Sequence, residues 1–175
     1  MKTTYFVALT LLATLMGTGV QAQSRVMSDA GYYGEIAYTP IDVNDGLAGT
    51  STPQAARFIV GKDLDANWAV EGMYTTTASK DHRDGFNASI NNYGIHIKPK
   101  VALTPDTLVF ARVGVTRSDI TASTGGARTG TDLSYGIGLQ TNFTKSVYGQ
   151  LDYMTYFDKD NTTAKGFALS VGTRF

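Results

Sequence analysis

The sequence predicts an all-β fold, an eight-stranded antiparallel up-and-down transmembrane β-barrel. Three observations carry the prediction: apolar residues recur at every second position from Gly31 onward, connections alternate in length, and aromatic residues gather at strand ends. A period of two is that of a strand whose faces meet different environments. An apolar band outside, a polar lumen and alternating short and long connections are typical of outer-membrane barrels.

The eight strands are defined by where the alternation begins and ends. The clearest is the last, in which Phe167, Leu169 and Val171 share one face while Ser170 and Arg174 share the other. In each strand the charged residues lie on the face opposite the apolar ones. A soluble lipocalin-like barrel also alternates, with charges of both signs outside, and stays open as an alternative. The predicted strands are 32–39, 55–61, 68–75, 91–98, 107–116, 132–142, 147–157 and 166–175.

The connections between these strands differ in length in a regular way. Outer-membrane barrels join their strands by short turns on the periplasmic side and by longer loops on the extracellular side. This places both termini in the periplasm. The sequence predicts long connections at 40–53, 76–88 and 118–130, short ones at 63–67, 99–106 and 143–146, and one of intermediate length at 158–163.

Composition excludes several classes of protein. The chain of 175 residues has no cysteine, so a disulfide scaffold, a thiolate metal site and a cysteine nucleophile are excluded. Its 15 basic and 15 acidic residues give no net charge and form no basic cluster, so nucleic acid is not an expected partner. Past the N-terminus no apolar run approaches the roughly 18 residues of a transmembrane helix. We expect no metal and no cofactor.

The N-terminus has the order of a secretory signal. Lys2 supplies a positive charge, residues 5–16 are apolar, and Val20 and Ala22 offer small residues at a cleavage site. We therefore predict a signal peptide at 1–22 and a barrel domain at 23–175. A buried N-terminal helix is the alternative.

The inward faces of the predicted strands carry matched charges. An eight-stranded barrel is just wide enough for side chains to fill its interior, and unpaired buried charges are too costly to be retained. We expect a paired network that plugs the lumen. A narrow or gated pore is the alternative, because breaking one pair would open a path for water. The predicted network comprises Glu35, Arg57, Glu71, His96, Lys98, Arg112, Asp132, Asp152 and Arg174, with Gln140 among them.

Aromatic residues on the apolar face lie near the strand ends. Amphipathic rings prefer the headgroup level of a bilayer, so two girdles are expected, one at each rim. Tyr38, Tyr74, Tyr135, Phe157 and Phe167 are assigned to the long-loop rim, and Tyr32, Trp68 and Phe175 to the short-turn rim.

The C-terminal stretch GFALSVGTRF resembles the closing strand of bacterial outer-membrane proteins. With the signal peptide and the strand count, the mature chain resembles the small outer-membrane β-barrel family, which includes the OmpA-type transmembrane domain, OmpX and Ail-like proteins, and opacity-like porin family proteins. Because the sequence ends with the barrel, the periplasmic peptidoglycan-binding domain of full-length OmpA is not expected. The resemblance implies that Phe167, Leu169, Val171 and Phe175 form an assembly signal for the barrel-assembly machinery.

The same resemblance implies where the protein acts and what it contacts. It implies an outer-membrane location, contact with outer-membrane lipid and lipopolysaccharide, and a structural or surface-interaction role, in adhesion or membrane integrity, carried by the extracellular loops. A narrow small-solute pore is the alternative function. The surface ligand stays unidentified.

Catalysis is not expected. Some barrels of this size modify lipid A, but hydrolysis requires a nucleophile, a base and an orienting acid. The sequence has two histidines, His82 in a predicted loop and His96 on the lumen face, and neither lies in such an arrangement. Four basic residues are assigned to the loops, and each is either solvated or paired with a lipopolysaccharide phosphate. They are Lys80, Arg83, Arg117 and Arg128.

Overall fold

The structure is a computed structural model that describes residues 31–45, 49–79, 88–122, 126–159 and 161–175. The predicted signal peptide, His82, Lys80 and Arg83 lie outside these ranges, as does the side chain of Arg128. In the described ranges no helix is long and apolar enough to cross a membrane. Their strands are β1 (Tyr32–Asp45), β2 (Gly49–Ser51), β3 (Gln54–Asp63), β4 (Trp68–Ser79), β5 (Ala88–Ala102), β6 (Thr107–Ala122), β7 (Gly126–Asn142), β8 (Val147–Lys159) and β9 (Thr162–Arg174).

Eight of these strands close into a barrel. β1 and β3 to β9 each pair antiparallel with the next, and β9 pairs back to β1, for example through Ile36 and Val171. β2 is a short hairpin partner for the upper end of β1. The prediction of an eight-stranded antiparallel up-and-down barrel is confirmed.

The strands reach further on the long-loop side than the sequence predicted. β1 continues to Asp45, β6 continues to Ala122, and β7 begins at Gly126, so much of the three predicted long connections is strand. β7 has 17 residues, whereas a strand that only spans a bilayer needs about 9–11. The barrel is therefore taller than a membrane requires.

The polarity of the two faces reverses along the barrel axis. In the lower part the outer face carries exposed aliphatic side chains such as Ile95 and Leu169; we call this surface the membrane band. Above Tyr38 and Tyr93 the outer face turns polar, and aliphatic side chains point inward instead. We call these strand ends the upper barrel; its inward side chains include Ile41, Val43, Ile90 and Ile120, and its outward ones Asp42, Asn44, Asn91 and Thr129.

A β-bulge in β8 changes which side chains face inward. The register between β8 and β9 shifts between Thr155 and Phe157, so Tyr156 has no cross-strand partner. A bulge adds one residue to a strand and exchanges its faces beyond that point. Both Tyr156 and Phe157 consequently lie inside the barrel, where Phe157 is 5% exposed. The assignment of Phe157 to the outer aromatic girdle is wrong for this reason.

Candidate functional site

The middle of the barrel interior is organised around one guanidinium group. Arg112 extends from β6 and is 1% exposed. Its Nε lies 2.5 Å from Glu71 Oε2, an Nη2 lies 3.3 Å from Glu35 Oε1, and Nη1 lies 3.1 Å from Asp152 Oδ1. Carboxylates from β4, β1 and β8 therefore converge on a single cation.

Two further cations complete this cluster. Arg57 binds Asp152 with two parallel contacts, Nη2 to Oδ1 at 2.5 Å and Nη1 to Oδ2 at 2.8 Å. Lys98 Nζ lies 3.2 Å from Glu71 Oε1. Three cations thus face three carboxylates, and their formal charges cancel. We call this the charge network; it consists of Glu35, Arg57, Glu71, Lys98, Arg112 and Asp152.

Neutral side chains that sequence reasoning did not assign to the network hold it in place. The Tyr33 hydroxyl donates to Glu71 Oε1 at 2.8 Å, and the Tyr148 hydroxyl donates to Glu35 Oε2 at 3.3 Å. Lys98 Nζ donates to Gln150 Oε1 at 2.9 Å and lies 4.4 Å from the centre of the Phe110 ring. These rings supply hydrogen bonds and cation–π contacts to charges that water does not reach.

Aromatic rings inside the barrel lie over glycines of the neighbouring strand. A Cβ added at Gly61 would lie 2.2 Å from Tyr33 Cζ, and one added at Gly172 would lie 2.3 Å from Tyr148 Cζ. Both are direct cross-strand pairs. Covering a strand glycine with a cross-strand ring is a known way to stabilise a sheet. In the sequence, such a pair is indicated by a glycine at an inward-facing position of one strand and a tyrosine at the opposite inward-facing position of the next.

Replacing Gly61 with alanine is expected to lower the free energy of unfolding by about 1–3 kcal/mol, the usual cost of overpacking. The new methyl group displaces the Tyr33 ring, and the Tyr33 hydroxyl then loses its hydrogen bond to Glu71. The matched control is Gly72→Ala, because Gly72 faces outward and its added Cβ meets nothing nearer than 3.9 Å. Urea unfolding in detergent micelles, followed by the fluorescence of the single tryptophan Trp68, measures both. Equal losses in the two variants would contradict this role of Gly61.

Three predicted network residues lie apart from the cluster. His96 Nε2 is hydrogen-bonded to Ser134 Oγ at 2.7 Å, and it has no ion pair with the residues the structure describes. Asp132 lies just above the middle of β7, where its carboxylate accepts the backbone N–H of Asp158 at 2.9 Å. Arg174 lies at the short-turn end, 3.9 Å from Asp63. The expectation that all nine residues form one network is wrong: Asp132 and Arg174 lie above and below the cluster, and His96, although directly across from Glu71, bonds to Ser134 instead.

The short-turn end has a smaller group of charges. Asp63 Oδ1 pairs with Lys100 Nζ, and its other oxygen faces Arg174. The Arg174 guanidinium lies 4.6 Å from the centre of the Tyr148 ring and donates to Asn142 Oδ1 at 3.0 Å. The sequence predicts short connections at 63–67 and 99–106, so it does not indicate that Asp63 and Lys100 face each other inside the barrel.

An apolar layer fills the interior above the charge network. Its side chains come from six of the eight barrel strands and are 0–5% exposed, so water does not reach them. Tyr156 links the two layers, because its hydroxyl accepts a hydrogen bond from Arg57 Nη1 at 3.2 Å. We call this the apolar layer; it comprises Ile41, Val43, Met73, Ile90, Ile120, Met154, Tyr156, Phe157 and Ala164.

The outer face carries most of the predicted girdle. Trp68 is half-buried at the short-turn rim. The predicted assembly residues of β9 also lie on this face, and Phe175 is 76% exposed. The exposed girdle tyrosines are Tyr32, Tyr38, Tyr74 and Tyr135, and the exposed β9 residues are Phe167, Leu169, Val171 and Phe175. In the described residues no three His, Cys, Asp or Glu side chains are placed to hold a metal ion.

A closed antiparallel barrel with an aliphatic outer band and a charged, filled interior defines the class of integral β-barrel membrane proteins. Residues 9–175 match the family model described as outer membrane protein beta-barrel domain. The chain belongs to that family, which places it in the outer membrane. No curated protein sequence matches the chain.

Solved structures of bacterial surface proteins have the same fold. Ail, the attachment invasion locus protein of Yersinia pestis, is 19% identical, with a TM-score of 0.63 over 84% of this chain and 100% of Ail. Neisserial surface protein A is 13% identical, with a TM-score of 0.71 over 83% of this chain and 98% of the other. The N-terminal β-barrel domain of Pseudomonas aeruginosa OprF is 15% identical, with a TM-score of 0.60 over 84% and 100%.

Proposed function

We propose that this chain is a closed barrel that acts at the bacterial surface in adhesion or membrane integrity, and that its extracellular loops carry the interaction. The observation that carries the proposal is the filled interior. Arg57, Lys98 and Arg112 are each at most 1% exposed, and the apolar layer lies directly above them. Two different fillings in series favour a plug over a conduit for solutes.

The upper barrel supports the second half of the proposal. Its outward side chains are polar and its interior is packed with aliphatic and aromatic groups, as in a barrel surrounded by water. Such a segment holds loop ends in fixed positions outside the membrane, and loops on rigid scaffolds are where binding surfaces usually lie. Ail was crystallised in complex with the heparin analogue sucrose octasulfate, which supports a search for a surface ligand here.

The experiment compares conduction by the purified barrel with the surface properties of a deletion strain. Purified barrel in planar bilayers is expected to give no stable unitary conductance steps, and a deletion strain is expected to lose adhesion or gain membrane leakiness without losing uptake of small solutes. Sucrose octasulfate serves as the first soluble probe. Reproducible unitary steps from the unmodified protein would overturn the proposal and favour the narrow small-solute pore.

We also propose that residues 1–22 direct export and that Phe167, Leu169, Val171 and Phe175 are recognised by the barrel-assembly machinery. Their exposure on the outer face of β9 supports this, because side chains that point to lipid are available before the barrel closes. Phe175→Ala is expected to leave more chain unassembled in the periplasm than Phe143→Ala, a change of another highly exposed phenylalanine, at a short turn. Equal assembly of the two variants would contradict it.

A further inference from the structure

A groove runs along the membrane band over β3 to β6. Val60, Gly72, Ile95 and Val115 form one cross-strand row at its centre. Gly72 faces outward between branched side chains, and a Cβ added there would meet nothing within 3.9 Å. Two concavities, of about 610 Å³ and about 600 Å³, share these four residues and join into one groove. The missing side chain therefore creates a notch in an otherwise continuous aliphatic wall.

The upper end of the groove is formed by three aromatic rings and one cation. Phe58, Tyr74, Tyr93 and Arg117 are successive cross-strand partners in the next row. Arg117 is exposed and makes no hydrogen bond or ion pair with any described residue. Predicted as part of a loop, it lies in β6 with its side chain on the outer wall.

This row lies where the outer face changes from apolar to polar. Below it are Ile95 and Val115, and beyond it are Asn91, Asp119 and Thr129. Tyrosine rings and guanidinium groups at such a boundary are at the level of lipid headgroups. Asp119 is the nearest outward carboxylate along β6, and it already accepts a hydrogen bond from Thr129 Oγ1 at 2.7 Å. Among the described residues, the guanidinium of Arg117 thus has no partner that would compete with an anion from the membrane.

Other outward cations near the membrane band have neighbours of their own. Lys62, at the lower end of the groove, lies 5.2 Å from the centre of the Tyr32 ring. Lys165 lies directly across from Asp42 on the neighbouring strand. Arg117 differs from Lys165 because an apolar groove leads away from it toward the middle of the membrane, and from Lys62 because it lies at the long-loop end of that groove.

We propose that this groove binds one phosphorylated lipid of the outer leaflet, with its phosphate paired to Arg117 and one acyl chain lying in the notch at Gly72. Arginine presents a planar fork of donors that matches a phosphate with two parallel hydrogen bonds. The rings of Tyr74 and Tyr93 share the cross-strand row of Arg117, so they flank the lipid where its headgroup meets the acyl chain. The inference rests on the membrane placement and orientation that the proposed function assumes.

Native mass spectrometry of the folded barrel with defined lipids tests this. The probes are hexa-acylated lipid A with both phosphates and the same lipid without phosphate. Arg117→Gln is expected to weaken binding of the phosphorylated lipid about tenfold, the usual effect of losing a charged hydrogen bond, and to leave the dephosphorylated lipid unchanged. Gly72→Leu fills the notch and is expected to weaken both lipids.

The matched controls lie on the same face but outside the groove. Lys165→Gln removes another outward cation, and Thr173→Leu enlarges an exposed side chain on the outer face of β9, away from the groove; neither is expected to change binding. Equal affinity for the two lipids in the unmodified protein, or equal effects of Arg117→Gln and Lys165→Gln, would overturn the inference. A dimer joined through this groove would also overturn it.

Folding is checked for each variant by its heat-modifiable migration in detergent gels. A folded, membrane-inserted barrel that does not select phosphorylated lipid contradicts only the groove. A chain that does not insert, or that conducts, contradicts the proposed function. The two failures are therefore distinguishable.

Discussion

Replacing Arg112 with methionine is expected to lower the free energy of unfolding by about 3–5 kcal/mol, the usual cost of removing one partner from a buried ion-pair network. Without this guanidinium, Lys98 is the cation that remains beside Glu35 and Glu71, and Arg57 is the cation that remains beside Asp152. Three buried carboxylates then face two cations. Urea unfolding in detergent micelles with Trp68 fluorescence measures the loss.

Two controls separate charge imbalance from loss of a large side chain. Arg117→Met removes an exposed arginine of the same strand that is unpaired within the described part of the chain, and it is expected to change the free energy of unfolding by at most about 0.5 kcal/mol. Adding Glu71→Gln to Arg112→Met restores two cations against two carboxylates and is expected to recover part of the loss. If Arg112→Met were as mild as Arg117→Met, the network would not be a stabilising feature of this barrel.

In the charge network, the sequence predicts which face of a strand each charged residue lies on, but not which charged residues meet. Strand parity alone places Glu35, Arg57 and Asp152 on the inner face, because a charge opposite an aliphatic face has only the lumen to occupy. Which inward charges meet depends on the stagger between strands as the sheet closes, and no local pattern contains that stagger. His96 and Arg174 therefore have the predicted face but different partners from those expected.

Two features of the fold were missed for related reasons. In the upper barrel the side chains of β1 still alternate between the two faces. The apolar side chain of Tyr38 points outward, whereas those of Ile41 and Val43 point inward, so the apolar positions move from one face to the other at Thr39. Together with Pro40, that change has the appearance of a strand end. Phe157 was misplaced because a bulge exchanges the faces of β8, and Thr155 and Tyr156 carry no signal for a bulge in the sequence.

Breaking the charge network alone is expected to leave the barrel non-conducting. The sequence suggested that one broken ion pair would open a path for water, but the apolar layer lies between the network and the extracellular end. An apolar constriction excludes water and ions even where a channel is geometrically continuous. Glu71→Ala with Arg112→Ala removes opposite charges and keeps the remaining network balanced, and we expect no unitary steps from this variant in planar bilayers.

Removing part of the apolar layer alone is also expected to give no unitary conductance steps. Ile41→Ala with Ile90→Ala takes two fully buried side chains from that layer but leaves Arg112 and Glu71 paired below. Only the combination of all four substitutions opens both layers, so unitary steps are expected from the combined variant and from neither pair. Steps from the network pair alone would mean that water already passes the apolar layer, and the barrel would then be a gated pore whose gate is the ion pair between Glu71 and Arg112.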